Sequence, residues 1–172
     1  AVMHADAASV QILEPDGARL RLLASRNFHP ESAAYWQFVD AGSSSSCGKA
    51  LETHARVVIA DLEANPELAG TGDLEAYLRS RLASVQSTPL ISRTGERLGM
   101  ISTHWRAPHQ PQPKEFDLFD VLARQAADLI ERASAHEKLR ESAERQAYLL
   151  RLSDALRGEP DPTAIAERAL PA

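Results

Sequence analysis

The sequence has few cysteines: of its 172 residues, only Cys47 carries a thiol. A single cysteine excludes an intrachain disulfide, and it excludes cysteine-based zinc and iron–sulfur sites within one chain. A lone thiol is typical of a reducing compartment, so we expect a cytoplasmic location.

Long hydrophobic runs are also missing, because no apolar stretch approaches the roughly 20 residues of a membrane span. We therefore expect no membrane span, and residues 1–10 lack the basic start and the apolar run of a signal peptide.

An excess of positive charge is absent as well. Lysine and arginine number 19 against 24 aspartates and glutamates, which gives a formal net charge of −5. Electrostatic binding of nucleic acid needs a clustered basic face, so we expect no nucleic-acid partner. No two of the six histidines are four residues apart, which is the usual spacing of a metal site on a helix. The sequence therefore predicts no metal site.

Short apolar segments separated by turn residues predict a sheet with helices between its strands. Two hairpins are indicated, because EPDG at 14–17 and RTGE at 93–96 are turn sequences between strand-like segments. Ser45 or Ser46 suits the N-cap of one helix, and Asp73 suits the N-cap of another. The predicted strands are 8–13, 18–25, 56–60, 83–92 and 98–105, and the predicted helices are 30–39, 47–53 and 72–82.

No glycine or proline occurs from Lys114 to Arg157, and this stretch is rich in good helix formers. A continuous helix of that length would extend roughly 66 Å at the α-helical rise per residue, too long for one compact domain of this size. Its first part carries a wide apolar face that suits packing on a sheet. Farther along, the apolar positions thin to a weak heptad, which predicts a homodimer seam. The predicted seam residues are Leu122, Leu129, His136, Leu139, Ala143 and Leu150.

Four segments resemble parts of the GAF domain, an α/β sensory module. VQSTPLIS at 85–92, followed by a turn and LGMISTHW at 98–105, resembles the central hairpin of that family. CGKALETHARVVIADLEANP at 47–66 resembles its helix-then-strand unit, and RQAADLIER at 124–132 resembles the closing helix found in bacterial sensor histidine kinases. The resemblance covers about residues 5–133. It implies an α+β fold, with a GAF-like antiparallel sheet flanked by helices and a long C-terminal linker helix.

The resemblance also implies how the chain is divided. Residues 1–133 would form the GAF-like sensory domain with its first helix largely missing, and residues 134–157 a helical linker and candidate coiled coil. Residues 148–170 resemble the opening of another such domain, so we expect 158–172 to start a following domain. The chain would then be part of a multidomain sensor, and its C-terminal segment is a candidate to fill the place of the missing helix.

In the GAF family the ligand pocket lies on one face of the sheet, under the connecting loops and short helices. The resemblance implies a pocket formed by Trp36, Phe38, Cys47, Leu51, Tyr77, Ser87, Thr103 and Trp105. Because side chains alternate along a strand, the strand register decides which of them face the pocket, and the sequence leaves that open. It also leaves open whether these residues bind a ligand or fill a core without one.

Cys47 follows a serine loop at a predicted helix N-terminus, where backbone N–H groups lower the pKa of a thiol. That position suits either a reactive thiol or a small residue that lines the pocket. Bilin-binding GAF domains have a histidine after the cysteine, where this sequence has Gly48, and GAF-type methionine sulfoxide reductases need more than one cysteine. We find no bilin, haem or metal motif and no cyclic-nucleotide signature, so the cofactor is left unassigned.

The resemblance predicts a non-catalytic sensory module of a bacterial signalling protein. It would bind a small molecule, mediate dimerisation, or do both, and the long helix would carry the signal to a downstream output domain such as a histidine kinase. His136 is not expected to accept phosphate, because HEKLRES at 136–142 has no proline after the histidine. Two alternatives stay open: a small enzyme that uses the Cys47 thiol, and a structural spacer without a ligand.

Overall fold

An antiparallel sheet forms the centre of the first part of the chain. The computed structural model describes residues 2–157, and within them six strands form one sheet. These strands are β1 (Ala7–Leu13), β2 (Arg19–Arg26), β3 (Phe38–Asp40), β4 (Val57–Ile59), β5 (Ser84–Ile91) and β6 (Arg97–Trp105). They lie in the order β3-β2-β1-β6-β5-β4, and every neighbouring pair is antiparallel. The α+β architecture with an antiparallel sheet, predicted from the sequence, is confirmed.

Three short helices and one long helix complete the described residues, together with a 3-10 turn at Val2–His4. The helices are α1 (Pro30–Tyr35), α2 (Ser46–Thr53), α3 (Gly72–Arg79) and α4 (Pro113–Arg157). Of the two serines that suit the N-cap of α2, Ser45 occupies it, and its hydroxyl accepts a hydrogen bond from the Gly48 amide at 3.1 Å. None of the helices within residues 2–157 is long and apolar enough to cross a membrane.

The chain divides into two units between Ile130 and Glu131, so α4 contributes residues to both. In the second unit the described side chains are mostly exposed. Arg140 there forms ion pairs with Glu137 and Glu144 at 2.7 and 3.9 Å, which is typical of a solvated helix surface. The predicted boundaries at residues 133 and 157 stay predictions, and the predicted start of a following domain at 158–172 lies outside the described residues.

The predicted helix 30–39 is wrong in its second half. α1 ends at Tyr35, and Phe38–Asp40 forms the edge strand β3. Val39 pairs with Leu20 of β2, and both side chains are buried in the core. The apolar residues that suggested one helix are therefore shared between a helix end and a strand, because the sheet offers Val39 a buried partner that a longer helix would not.

The strand register gives the central sheet two faces, and both of them are buried. Ser87 is paired with Ser102 across β5 and β6, and both point toward α2. Gln86 is paired with Thr103, and both point the other way, toward the first part of α4. The apolar core of the α2 face includes Ala7, Leu20, Trp36, Val85 and Met100, and that of the α4 face includes Val10, Leu90, Ile101, Ala123 and Ala127.

Candidate functional site

The loop before α2 brings the start of that helix close to the sheet. Ser46, Cys47 and Gly48 are all buried. A Cβ atom at Gly48 would lie 2.5 Å from the Ser43 carbonyl oxygen and 2.8 Å from that of Asp40, so a larger residue does not fit. Glycine at this position therefore lets the serine loop fold tightly over the helix start and places the Cys47 side chain against the central strands.

Five side chains form a buried hydroxyl cluster between α2, α3 and the sheet: Ser46, Cys47, Tyr77, Ser87 and Ser102. The Cys47 Sγ lies 3.3 Å from the Ser102 Oγ and 3.4 Å from the Ser87 Oγ. The Ser87 Oγ lies 2.8 Å from both the Ser102 Oγ and the Ser46 Oγ. The Tyr77 Oη accepts a hydrogen bond from the Ser46 amide at 3.2 Å. Every polar atom of the cluster therefore has a partner within the protein.

Burial decides the protonation state of this cluster. Loss of water contact raises the pKa of the Cys47 thiol, and the hydrogen bonds to Ser102 and Ser87 offset only part of that effect. Burial likewise raises the pKa of the Tyr77 hydroxyl. The position of Cys47 near a helix N-terminus suggested a lowered pKa from the sequence, but desolvation outweighs that contribution here. Both groups stay protonated at neutral pH.

Asp73 is a site residue that sequence reasoning placed incorrectly as a helix cap. Thr71 is the N-cap of α3, and its hydroxyl accepts from the Leu74 amide at 3.2 Å. The Asp73 carboxylate instead accepts hydrogen bonds from the Trp36 Nε1 at 2.9 Å and from the Ser43 Oγ at 3.0 Å. The Asp73 side chain is nearly fully buried. Its two hydrogen bonds connect α3 to the end of α1 and to the serine loop.

A small cavity lies between the sheet and the three short helices. Its volume is about 10 Å³, close to the minimum that one water molecule needs. Trp36 lies in ring contact with Phe28 and Tyr77, with centroid distances of 5.4 and 4.6 Å. The cavity is lined by Ser9, Gln11, Leu22, Phe28, Trp36, Cys47, Tyr77 and His104.

Two of the lining side chains have buried polar atoms without any hydrogen-bond partner. These atoms are the Gln11 Oε1 and both ring nitrogens of His104. Each of the two residues is only 2% exposed. Burial lowers the pKa of His104 to about 3, so its imidazole is neutral at neutral pH. Its ring packs edge-on against Phe28 at a centroid distance of 5.0 Å.

The structure brings together part of the pocket that the resemblance implied. Trp36, Cys47 and Tyr77 line the cavity, and Ser87 touches the Cys47 sulfur. Leu51 lies in the same core cluster but borders a different small cavity. Phe38 is 46% exposed, and the Arg19 guanidinium lies 4.5 Å from its ring centre.

Thr103 and Trp105 do not share this cavity, which corrects the implied grouping. Both lie on the α4 face, because residues of odd number in β6 point away from Ser102 and His104. The Thr103 hydroxyl accepts from the Gln86 Nε2 at 3.1 Å, and the Trp105 Nε1 donates to the Met3 carbonyl at 3.0 Å. Gln11 was missed from the sequence. For His104, on a central strand, the sequence left open whether it reaches a pocket or lies in the core, since only the register shows that it lines the same cavity as Gln11.

The predicted seam residues lie on the surface of α4. Leu122 and Leu129 belong to the first unit, and the other four belong to the second. All six side chains are exposed. Among residues 2–157 no group of three or more metal-ligating side chains comes together. The structure therefore offers an uncharged cavity and an exposed helix surface as candidate functional features.

A curled antiparallel sheet with helices on both faces, and a cavity under the short helices, defines the α+β architecture of this domain. A sequence profile described as "GAF domain" matches residues 2–131, and the chain belongs to this family. A comparison with curated protein sequences finds no match to this chain.

Solved structures with the same fold come from several kinds of protein. The GAF domain of a phosphoenolpyruvate-protein phosphotransferase from Coxiella burnetii is 21% identical, with a TM-score of 0.62 over 76% of this chain and 74% of that one. The GAF domain of a two-component sensor histidine kinase from Bacillus halodurans is 16% identical, with a TM-score of 0.59 over 78% and 87%. A type II free methionine-R-sulfoxide reductase from Thermoplasma acidophilum is 18% identical, with a TM-score of 0.55 over 74% and 80%. These likenesses concern the fold.

The state of Cys47 can be tested by alkylation. Because the thiol is buried and its pKa is raised, we expect iodoacetamide to modify the folded chain about tenfold or more slowly than free cysteine at neutral pH. Mass spectrometry measures the rate, and the urea-unfolded chain is the control that should react as free cysteine does. A folded chain that reacts as fast as free cysteine would contradict the burial of this thiol.

The Asp73 junction can be tested by removing its charge. The Asp73 carboxylate accepts hydrogen bonds from the Trp36 indole and the Ser43 hydroxyl. In Asp73→Asn the amide NH2 group replaces one acceptor oxygen and cannot accept from either donor, so at least one of these hydrogen bonds is lost. We therefore expect a loss of about 1–3 kcal/mol in the free energy of unfolding. Urea unfolding followed by tryptophan fluorescence measures it. The control is Glu75→Gln, which removes one charge from an exposed position of the same helix and should change stability by less than about 0.5 kcal/mol. Equal stability of the two variants would refute the junction.

Proposed function

We propose that this chain is a non-catalytic sensory module of a cytoplasmic bacterial signalling protein and that it binds a small molecule in the cavity. GAF domains are typically sensory or regulatory modules in signalling proteins. The observation that carries the proposal is the pair of buried side chains, Gln11 and His104, which line the cavity and have buried polar atoms without partners. Such groups cost stability in a core that binds nothing, and they are useful where a ligand supplies their hydrogen bonds.

Strand β6 provides a short connection between the cavity and α4. His104 faces the cavity, whereas its neighbour Trp105 packs with Phe119 of α4 on the other face. A ligand that repositions His104 therefore also acts on the packing beneath the first part of α4. A preference of a few kcal/mol for one arrangement of the domain is enough to shift its population.

The exposed leucines of α4 support dimerisation. Leu122, Leu129, Leu139 and Leu150 are between 38% and 71% exposed in the single chain. Large apolar side chains that recur on one helix surface at heptad spacing suit a parallel partner helix. We infer a homodimer in which His136 and Ala143 lie between these leucines and keep the seam weak enough to change its packing.

The output of this module is inferred to be a downstream domain of a multidomain protein. Both the sensor histidine kinase of Bacillus halodurans and the phosphotransferase of Coxiella burnetii contain a GAF domain with this fold. The predicted helical seam favours the histidine kinase type, because a two-helix stalk can pass a change of packing directly to a dimeric kinase.

Neither alternative function gains support from the site. The raised pKa of the Cys47 thiol is opposite to what a thiol enzyme needs. A structural spacer with a filled core has no use for a buried imidazole and a buried amide oxygen without partners. The sensory function therefore agrees best with the chemistry of the site.

The seam can be tested in the whole chain by placing a charge on it. Leu139→Glu adds a buried like-charge pair to a dimer, so we expect the dimer dissociation constant measured by sedimentation to rise about tenfold or more. Leu23→Glu is the matched control, since Leu23 is 55% exposed and belongs to β2, not to α4. The proposal fails if both variants dimerise as the unmodified chain does, or if the unmodified chain is a monomer at every concentration.

A further inference from the structure

In the second unit of the chain, α4 keeps most of its charge away from the seam. Its outer positions carry the charged residues Glu137, Lys138, Glu141, Glu144 and Arg145. The seam residues of this unit are His136, Leu139, Ala143 and Leu150. Small side chains lie at most positions beside them, namely Ala133, Ala135, Ser142 and Ala147. A helix with one nearly uncharged side and small flanking residues suits close packing against another helix on that side.

A second copy of the same helix is the occupant that this surface fits. Among the described residues the second unit contains α4 alone, and the side chains from Arg132 to Arg151 are all exposed. Seven-residue spacing lets two copies lie parallel, so that each seam residue meets its own copy. In that register Arg140, which lies beside the seam, faces the partner's Ala135, so no like charges oppose each other there. The charge pattern therefore suits a parallel homodimer.

In a parallel pair His136 meets its own copy. A residue at the first heptad position packs into a hole formed by four residues of the facing helix. For His136 these are the partner's Arg132, the partner's Ala135, the partner's His136 and the partner's Leu139. The facing groups that can carry charge are thus an arginine and a second histidine. Glu137 lies on the outer side of the helix, where it pairs with Arg140 at 2.7 Å.

A proton on His136 therefore opposes the pairing of the helices. Histidine is the side chain whose charge ordinarily changes between pH 5 and 8. In the single chain the ring is exposed, so a charged imidazole keeps its water. In the pair two charged rings would share one layer, with Arg132 and Arg140 four residues away on either side and no carboxylate in the layer. The dimer accordingly binds fewer protons than two monomers, and a fall in pH favours the monomer.

We propose that the seam of α4 is proton-sensitive and that His136 makes it so, because protonation of its ring loosens the dimer. This regulation rests on the homodimer of the proposed function and names the signal that acts on that interface. It gives the module an input, the acidity of its surroundings, that acts on the helix directly and needs no ligand in the cavity.

The test follows dimerisation of the full chain at two pH values. Sedimentation velocity measures the dimer dissociation constant at about pH 8 and about pH 5, at constant ionic strength and with a chelator that prevents a metal ion from bridging the imidazoles. For the unmodified chain we expect the constant to rise about tenfold or more at the lower pH. His136→Leu should dimerise more tightly at the higher pH, and its constant should change by less than about threefold between the two values.

His54→Asn is the matched control for the other histidines. His54 is exposed and ends α2, so it is not part of the seam, and asparagine tolerates its left-handed backbone at φ 58°. This variant should keep the full pH response of the unmodified chain.

A cysteine in the same layer tests the register. In His136→Cys two thiols would face each other in a parallel pair, so mild oxidation should link the dimer by a disulfide. The native Cys47 is buried, and the unmodified chain should therefore form no such link.

The contrary results are distinct. If the unmodified chain and His136→Leu respond equally to pH, or neither responds, the proton-sensitive seam is overturned while the homodimer stands. If His136→Cys dimerises without forming the disulfide, the two copies do not meet at this residue and the assignment of His136 is overturned. If the chain is a monomer at every concentration and at both pH values, the homodimer of the proposed function fails and the regulation fails with it.

Discussion

The fold depends on satisfying polar side chains that the central strands carry into two buried faces. Toward α2, Ser87 and Ser102 require partners, and the start of that helix supplies them through Ser46 and Cys47. This requirement fixes how closely α2 approaches the sheet, and it explains the glycine at position 48, where backbone from the serine loop leaves no space for a side chain. Helix α3 joins the same cluster through the Tyr77 hydroxyl.

The α4 face meets the same requirement with a different set of residues. The Arg56 Nε donates to the Thr88 Oγ1 at 2.8 Å, and the Thr88 hydroxyl donates to the Gln86 Oε1 at 2.7 Å. The Arg56 guanidinium also forms an ion pair with Asp120 and lies 4.2 Å from the ring centre of Phe116, both on α4. The polar network of the strands thus helps to hold the first part of α4 on the sheet. Against this background the unpartnered atoms of Gln11 and His104 stand out as groups that the fold itself does not use.

Much of the architecture could be predicted from the sequence, because it depends on local patterns. The hairpins follow from turn residues between strand-like segments, the start of α2 from Ser45, and the length of α4 from a long stretch without glycine or proline. The edge strand β3 could not be predicted, since Val39 becomes part of a strand only through its pairing with Leu20, far away in the sequence. The apolar residues of 30–39 suggested one helix, and for this reason the strand β3 was not predicted.

The site was predictable only in part, for the same reason. Trp36, Cys47 and Tyr77 lie on segments whose helices could be recognised locally, and they do line the cavity. Thr103 and His104 are neighbours in the sequence, and a change of one residue in register would exchange their faces. In the sequence, Asp73 resembles an ordinary residue at the start of a helix. Only the structure shows that it accepts a hydrogen bond from the Trp36 indole. The pKa of Cys47 is raised because the thiol is buried. This effect is larger than the lowering expected at a helix N-terminus, and the sequence indicated only the helix N-terminus.

The central claim is that the polar groups of Gln11 and His104 serve a ligand and not the fold. The most direct test compares the free energy of unfolding of two glutamine variants in the ligand-free chain, Gln11→Leu and Gln86→Leu. Both glutamines are buried, but Gln86 has partners at both its amide atoms, whereas the Gln11 Oε1 has none. We predict that Gln86→Leu loses about 1–3 kcal/mol while Gln11→Leu is neutral or more stable. An equal loss in both variants would contradict the account.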